Sequence, residues 1–186
     1  MKKYLILISL LLAACGKEQQ ETPANLAART TMPEGISWQA PAGWVKEVPT
    51  SAMRKAQYAL PQADGDTENA SVVVFFFQGQ GGSVEANIQR WYSQIMQPDG
   101  SQTQDKATRH QQTVNGLTQT VVDVTGTYLF RARPMAGEAT QKPGFRMIAA
   151  VVESDSGPWF VKLVGPKKTV AKWEDSFGDF LKSFSG

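Results

Sequence analysis

Apolar side chains recur at two periods along residues 36–186, and the two periods predict two kinds of element. Residues 70–77 form an almost continuous run of β-branched and aromatic side chains. Such a run fits a central strand covered on both faces. Residues 54–60 alternate instead, with Ala56, Tyr58 and Leu60 on one face and Pro61 as the stop. Residues 36–41 read as a short strand that Ala42-Gly43 turns into Trp44-Val45. Residues 108–114 and 117–130 flank Asn115-Gly116. That dipeptide predicts a two-residue hairpin turn, which needs positive φ at both positions. A polar loop is expected over about 131–143, and two more apolar strands over 145–152 and 159–164.

Helical spacing appears twice. Val84, Ile88, Trp91 and Ile95 make one stripe, with Ser83 placed to cap it and Pro98 to end it. Val170, Trp173, Phe177, Phe180, Leu181 and Phe184 make the other, with Thr169 as its expected cap. Gly178 inside that second helix lowers its intrinsic stability by about 1 kcal/mol. Short turns between consecutive strands imply a mainly antiparallel sheet. Two amphipathic helices need apolar sheet surface to cover. The expected class is α+β, an α/β/α sandwich with a mainly antiparallel sheet and two main helices.

The stretch Ile36-Ser37-Trp38-Gln39-Ala40-Pro41-Ala42-Gly43-Trp44 resembles the "hydrophobic–x–Pro–x–Gly–Trp" opening of PsbP-like and Mog-type domains. The strand order, the helix after the central strands and the closing helix after Gly165-Pro166 agree with that fold. The resemblance covers residues 36–186 and rests on short, structural motifs. It implies an accessory or assembly factor, or a binding partner, rather than an enzyme. It carries over no functional residue.

The N-terminus follows different rules. Met1-Lys2-Lys3 is a positive start, and residues 4–12 are an apolar run too short to span a bilayer permanently, which takes about 20 residues. Leu12-Ala13-Ala14-Cys15 follows and resembles the lipobox of bacterial lipoproteins. That resemblance implies cleavage before Cys15, a lipidated sulfur, and a membrane as the first partner. The chain holds one cysteine, so the mature protein would carry neither a disulfide nor a free thiol. Gly16 after the cysteine is compatible with sorting to an outer membrane, facing the periplasm. The expected organisation is a signal peptide over 1–14, a flexible tether over 15–35 and one domain over 36–186. A polar tether of this length spans ~25 Å on average.

Charge excludes some partners. Of 19 Lys and Arg, Lys2 and Lys3 leave with the signal; the remaining 17 match the 17 Asp and Glu. A neutral domain gives no footing for nucleic acid or a polybasic membrane patch. His110 is the single histidine, so no two-histidine metal site, zinc cluster or haem site is expected. Ser71, Ser83 and Ser93 lack the Gly-x-Ser-x-Gly setting of a hydrolase nucleophile. Gly79-Gln80-Gly81-Gly82-Ser83 opens a helix but matches neither phosphate-loop spacing. Asp64, Asp66, Glu68 and Asn69 begin a calcium-loop pattern without its glycine or its distal glutamate, and read as a hairpin turn.

The group with the composition of a docking site is Asn87, Arg90, Trp91 and Gln94, along one edge of the first helix. The competing reading is a core tryptophan with a polar boundary. Arg131 and Arg133, in the polar loop expected over about 131–143, are expected to extend the recognition surface. The expected function is a lipid-anchored, non-catalytic envelope module that binds another envelope protein. It would need no cofactor. The alternative is a carrier of a small molecule or lipid, using a pocket between a helix and the sheet.

Overall fold

The computed structural model describes residues 29–78, 81–131 and 138–186. The strands are β1 (Arg29–Thr31), β2 (Ser37–Gln39), β3 (Val45–Glu47), β4 (Arg54–Leu60), β5 (Ala70–Phe76), β6 (Ile95–Met96), β7 (Thr108–Val114), β8 (Leu117–Phe130), β9 (Thr140–Ser154) and β10 (Gly157–Pro166). The helices are α1 (Val84–Tyr92), α2 (Thr103–Lys106) and α3 (Lys167–Lys182). β1 and β2 pair as a separate ribbon. The main sheet runs β3-β4-β5-β10-β9-β8-β6, and β7 also pairs with β8. Every pairing is antiparallel.

Alternation along the central strands divides the interior into two clusters. Val72, Val74, Val121, Ala150, Val152, Val161 and Leu163 face α3, which contributes Val170, Phe177, Phe180 and Leu181. Aromatic rings dominate this side. Trp38 stacks on Phe184 with centroids 5.3 Å apart, and Phe76 stacks on Trp159 at 4.5 Å. The Trp38 indole donates to the Tyr58 hydroxyl at 3.1 Å, so the buried N–H is satisfied. Val122, Val124, Met147, Ala149, Val151 and Phe160 face the other way, toward Ile88 and Trp91 of α1 and Ile95 of β6. These strands are apolar at consecutive positions because both of their faces are buried.

The hairpin signal at Asn115-Gly116 is realised: the two residues have φ of 50° and 82° and join β7 to β8. Other boundaries differ from the pattern. The first helix stops at Tyr92, and Ile95 lies in β6, paired with Tyr128. One apolar stripe thus spans a helix and a strand that bury the same cluster. α3 starts at Lys167, and Thr169 does not cap it. The Thr169 amide and hydroxyl both donate to Asp66 Oδ2, at 2.8 and 2.6 Å. That places a carboxylate on the first turn of a helix, where the helix dipole favours it. Asp66 therefore ties the β4–β5 connection to α3. Part of the segment expected as tether is also structured, since Arg29 to Thr31 pair with Gln39 to Ser37.

The sheet dominates. α3 has 16 residues, but α1 has only nine, so the expected pair of main helices reduces to one long cover and one short one.

Two glycines test this packing. A Cβ at Gly178 would meet nothing within 4 Å, whereas one at Gly126 would lie 2.5 Å from Ile95 Cγ2 and 2.8 Å from the Met96 carbonyl. Gly178→Ala is expected to stabilise the fold by about 0.5–1 kcal/mol. Gly126→Ala is expected to destabilise it by about 1–3 kcal/mol through overpacking. Urea midpoints of the two variants check both signs.

Candidate functional site

The short α1 leaves its side of the sheet unevenly covered. Residues opposite one another in an antiparallel ladder share a face. One such row crosses the sheet as Glu47, Gln57, Val73, Lys162, Ala149 and Val122. Ala149 and Val122 are fully buried at the α1 end. Gln57 and Lys162 are partly exposed, and Glu47 is exposed at the far edge. The next row carries Val45, Ala59, Ser71 and Val164, with Val45 55% exposed. Phe75, Phe77 and Tyr128 are also only partly buried against this cluster.

Lys162 stands near the middle of this surface on the central strand β10. Its ammonium donates to the Gln94 amide oxygen at 3.0 Å and lies 5.7 Å from the centre of the Tyr128 ring. Desolvation, with the charge of Arg54 added, pushes its pKa down to about 8. Arg54 reaches over the Phe75 ring, 5.6 Å from its centroid, and donates to Gln57 Oε1 at 2.7 Å. Gln57 in turn donates to Glu47 at 2.7 Å. Burial raises the Tyr128 pKa, and Arg54 partly offsets that rise.

Three other basic side chains on the sheet have acidic partners. Lys55 meets Glu34 at 2.9 Å, and Lys142 meets Glu68 at 2.5 Å. Arg146 binds Asp123 through two hydrogen bonds and Glu174 of α3 through two more. Those bonds hold its pKa above the usual arginine range and that of Glu174 below the usual carboxylate range. Among the described residues, no carboxylate lies within 4 Å of the charged nitrogens of Lys162 or Arg54.

The residues singled out in the sequence fall around this surface in different roles. Trp91 is buried and meets Phe160 edge-on, with centroids 6.4 Å apart. Asn87 is buried too; its amide donates to the carbonyls of Gly81 and Ser83, at 2.6 and 2.9 Å. It thereby holds the turn that enters α1, where Ser83 caps the helix by accepting from the Ala86 amide at 3.2 Å. Arg90 is exposed and donates to Asn87 Oδ1 at 2.9 Å. Gln94 is brought to Lys162, and Arg131 is exposed just beyond β8. Cys15 and Arg133 lie outside the described residues. Pattern reading missed Lys162 and Arg54. A signal for the first was present: Lys162 is the one charge in the apolar run Trp159-Phe160-Val161-Lys162-Leu163-Val164.

A second concavity lies on the opposite side. Val121, Ile148, Phe177 and Leu181 floor a cleft of about 350 Å³ beside α3. His110 and Lys182 stand at its rim, next to Gly178.

The chain is similar in structure to the cyanobacterial PsbP (CyanoP) of Synechocystis sp. PCC 6803, with a TM-score of 0.51 and 13% identity, over 93% of this chain and 97% of that one. The fold is thus PsbP-like, a mainly antiparallel sheet with few helices. A Pseudomonas aeruginosa protein of unknown function, PA94, aligns with a TM-score of 0.47 and 12% identity, over 84% of this chain and 94% of that one. No protein-family model and no curated protein sequence matches the chain. Among the described residues, no helix is long and apolar enough to cross a membrane.

An ammonium without a counter-charge in a partly buried site costs stability. Lys162→Met keeps the stem and removes the charge. It is expected to stabilise the domain by about 1–2 kcal/mol at neutral pH, since each unit of pKa depression corresponds to about 1.4 kcal/mol. The sign depends on pH. Below about 8 the folded and unfolded states both carry the proton and the wild type bears the full penalty. Between 8 and the ordinary lysine value of about 10.5 only the unfolded state keeps it, so wild-type stability rises. The gap between variant and wild type should narrow across that interval in urea titrations.

Proposed function

We propose that this chain is a lipid-anchored envelope protein that acts as a non-catalytic binding or accessory module, docking another envelope protein through the α1-side face. The anchor would be Cys15, after cleavage of residues 1–14, on a membrane facing the periplasm. We read the architecture as an α/β/α sandwich whose second helical layer is incomplete. The observation that carries the reading is the open half of that face, where Arg54, Lys162, Phe75 and Tyr128 remain partly exposed beside a buried core. Partly exposed aromatic and cationic side chains on a rigid sheet are the composition of a docking surface. Arg90 on α1 and Arg131 just beyond β8 are both exposed.

A second reading, a carrier of a small apolar molecule, is favoured by the cleft of about 350 Å³ between α3 and the sheet, whose floor is apolar. It is at the lower end of ligand-pocket sizes.

Cys15→Ser is expected to release the protein from the membrane fraction, and persistence of the variant in salt-washed membranes would contradict the anchor. Arg90→Ala is expected to leave the melting temperature nearly unchanged, because exposed substitutions usually alter stability by less than ~0.5 kcal/mol. In a crosslinking pulldown from intact envelopes it should weaken partner capture. An unaltered pulldown with an unaltered melt removes Arg90 from the docking surface.

A further inference from the structure

Lys162 and Arg54 together offer more hydrogen-bond donors than the described side chains around them accept. An ammonium has three N–H groups and a guanidinium five. The bonds found for them are one from Lys162 to Gln94 and one from Arg54 to Gln57, both to neutral amides. The two cations lie close enough for Arg54 to lower the Lys162 pKa, so they also repel each other. Lys55, Lys142 and Arg146, on the same sheet, all have acids beside them. Around these two cations stand the Phe75 and Tyr128 rings, with Val164 partly exposed two residues along β10 from Lys162. Among the described residues, the carboxylate on this face is Glu47 at its far edge, and none stands beside Lys162 or Arg54, where the rings offer apolar contact around the place such a charge would occupy.

We propose that this face seats a carboxylate carried on an apolar segment of the partner protein, held by Lys162 and Arg54 and flanked by Phe75 and Tyr128. The proposal rests on the reading of this face as the docking surface and names what it recognises. A carboxylate accepts charge-assisted bonds from both cations and removes their mutual repulsion. A flat bilayer surface does not reach an ammonium partly enclosed by side chains. Nucleic acid would need rows of exposed cations along its backbone, and this face has two. A free fatty acid would leave its chain lying on an open face, because ligand pockets bury most of a bound molecule. A partner protein brings its own cover.

The test uses the purified full chain and three probes: N-acetylphenylalanine, its primary amide, and decanoate. The readouts are the NMR signals of the Gln94 side-chain amide and the Tyr128 ring. N-acetylphenylalanine is expected to give saturable shifts at both. The amide should bind at least about tenfold more weakly, the weight of one charge-assisted hydrogen bond. Lys162→Met should weaken the acid by a similar factor while remaining folded, and Arg54→Gln provides a second variant on the other cation. Equal binding of acid and amide, no saturation by the acid, or undiminished binding by both variants overturns the proposal. Tighter binding of decanoate than of N-acetylphenylalanine also overturns it, in favour of a free lipid acid. If the acid binds as expected while Arg54→Gln and Lys162→Met leave envelope capture unchanged, the carboxylate site stands and the docking reading fails.

Discussion

An antiparallel sheet that is apolar on both faces must be covered on both faces, and this chain covers them unequally. The sixteen residues of α3, with Trp38, Tyr58 and Phe184, close one side around a dense set of aromatic rings. The nine residues of α1, with β6, close the β8–β9 part of the other. Burying a large apolar side chain contributes about 1.5–3 kcal/mol, so the α3 side supplies most of the stabilisation. The Arg146 clamp to Asp123 and Glu174, and the Asp66 contact to Thr169, fix α3 at two points. The α1 side is left free to do something else.

Lys162 shows what that freedom costs. Its side chain extends from the central strand into a cluster of valines, alanines and aromatic rings, with an amide as its hydrogen-bond partner. Natural sequences tend to break local consistency where function demands it. A methionine at the same place would pack as well and need no hydration. The polar chain Arg54–Gln57–Glu47 runs outward along the same face, so among the described residues the acid linked to these cations stands at the β3 edge, away from Lys162. A surface of that design favours an occupant bearing both a negative charge and apolar area.

Much of the fold was legible because single positions dictate backbone geometry. Asn115-Gly116 specifies a two-residue turn, and both residues adopt positive φ. The continuous apolar run at 70–77 announced a central strand, and β5 lies between β4 and β10. Ser83 announced a helix start and caps α1. Periodicity failed where one apolar stripe crossed from helix to strand, because Ile95 buries the same cluster as Ile88 and Trp91. Thr169 looked like a cap because nothing local revealed that Asp66, more than a hundred residues earlier, holds that turn. The site was harder still. Its residues come from β4, β5, β8, β10 and the end of α1, and sheet order alone brings them together. The structural neighbour at 13% identity shows the fold and leaves the site to be argued from these side chains.

The central claim is that recognition happens on the thinly covered face and not on the α3 side. Site-specific photocrosslinking in intact envelopes tests it directly. A crosslinking residue in place of Phe130, which is 39% exposed and 6.4 Å from Tyr128 between ring centres, samples the first face. One in place of exposed Lys172 on α3 samples the second. The account predicts a discrete crosslinked band from position 130 that disappears in Lys162→Met, and none from position 172. A band from position 172 alone would contradict it.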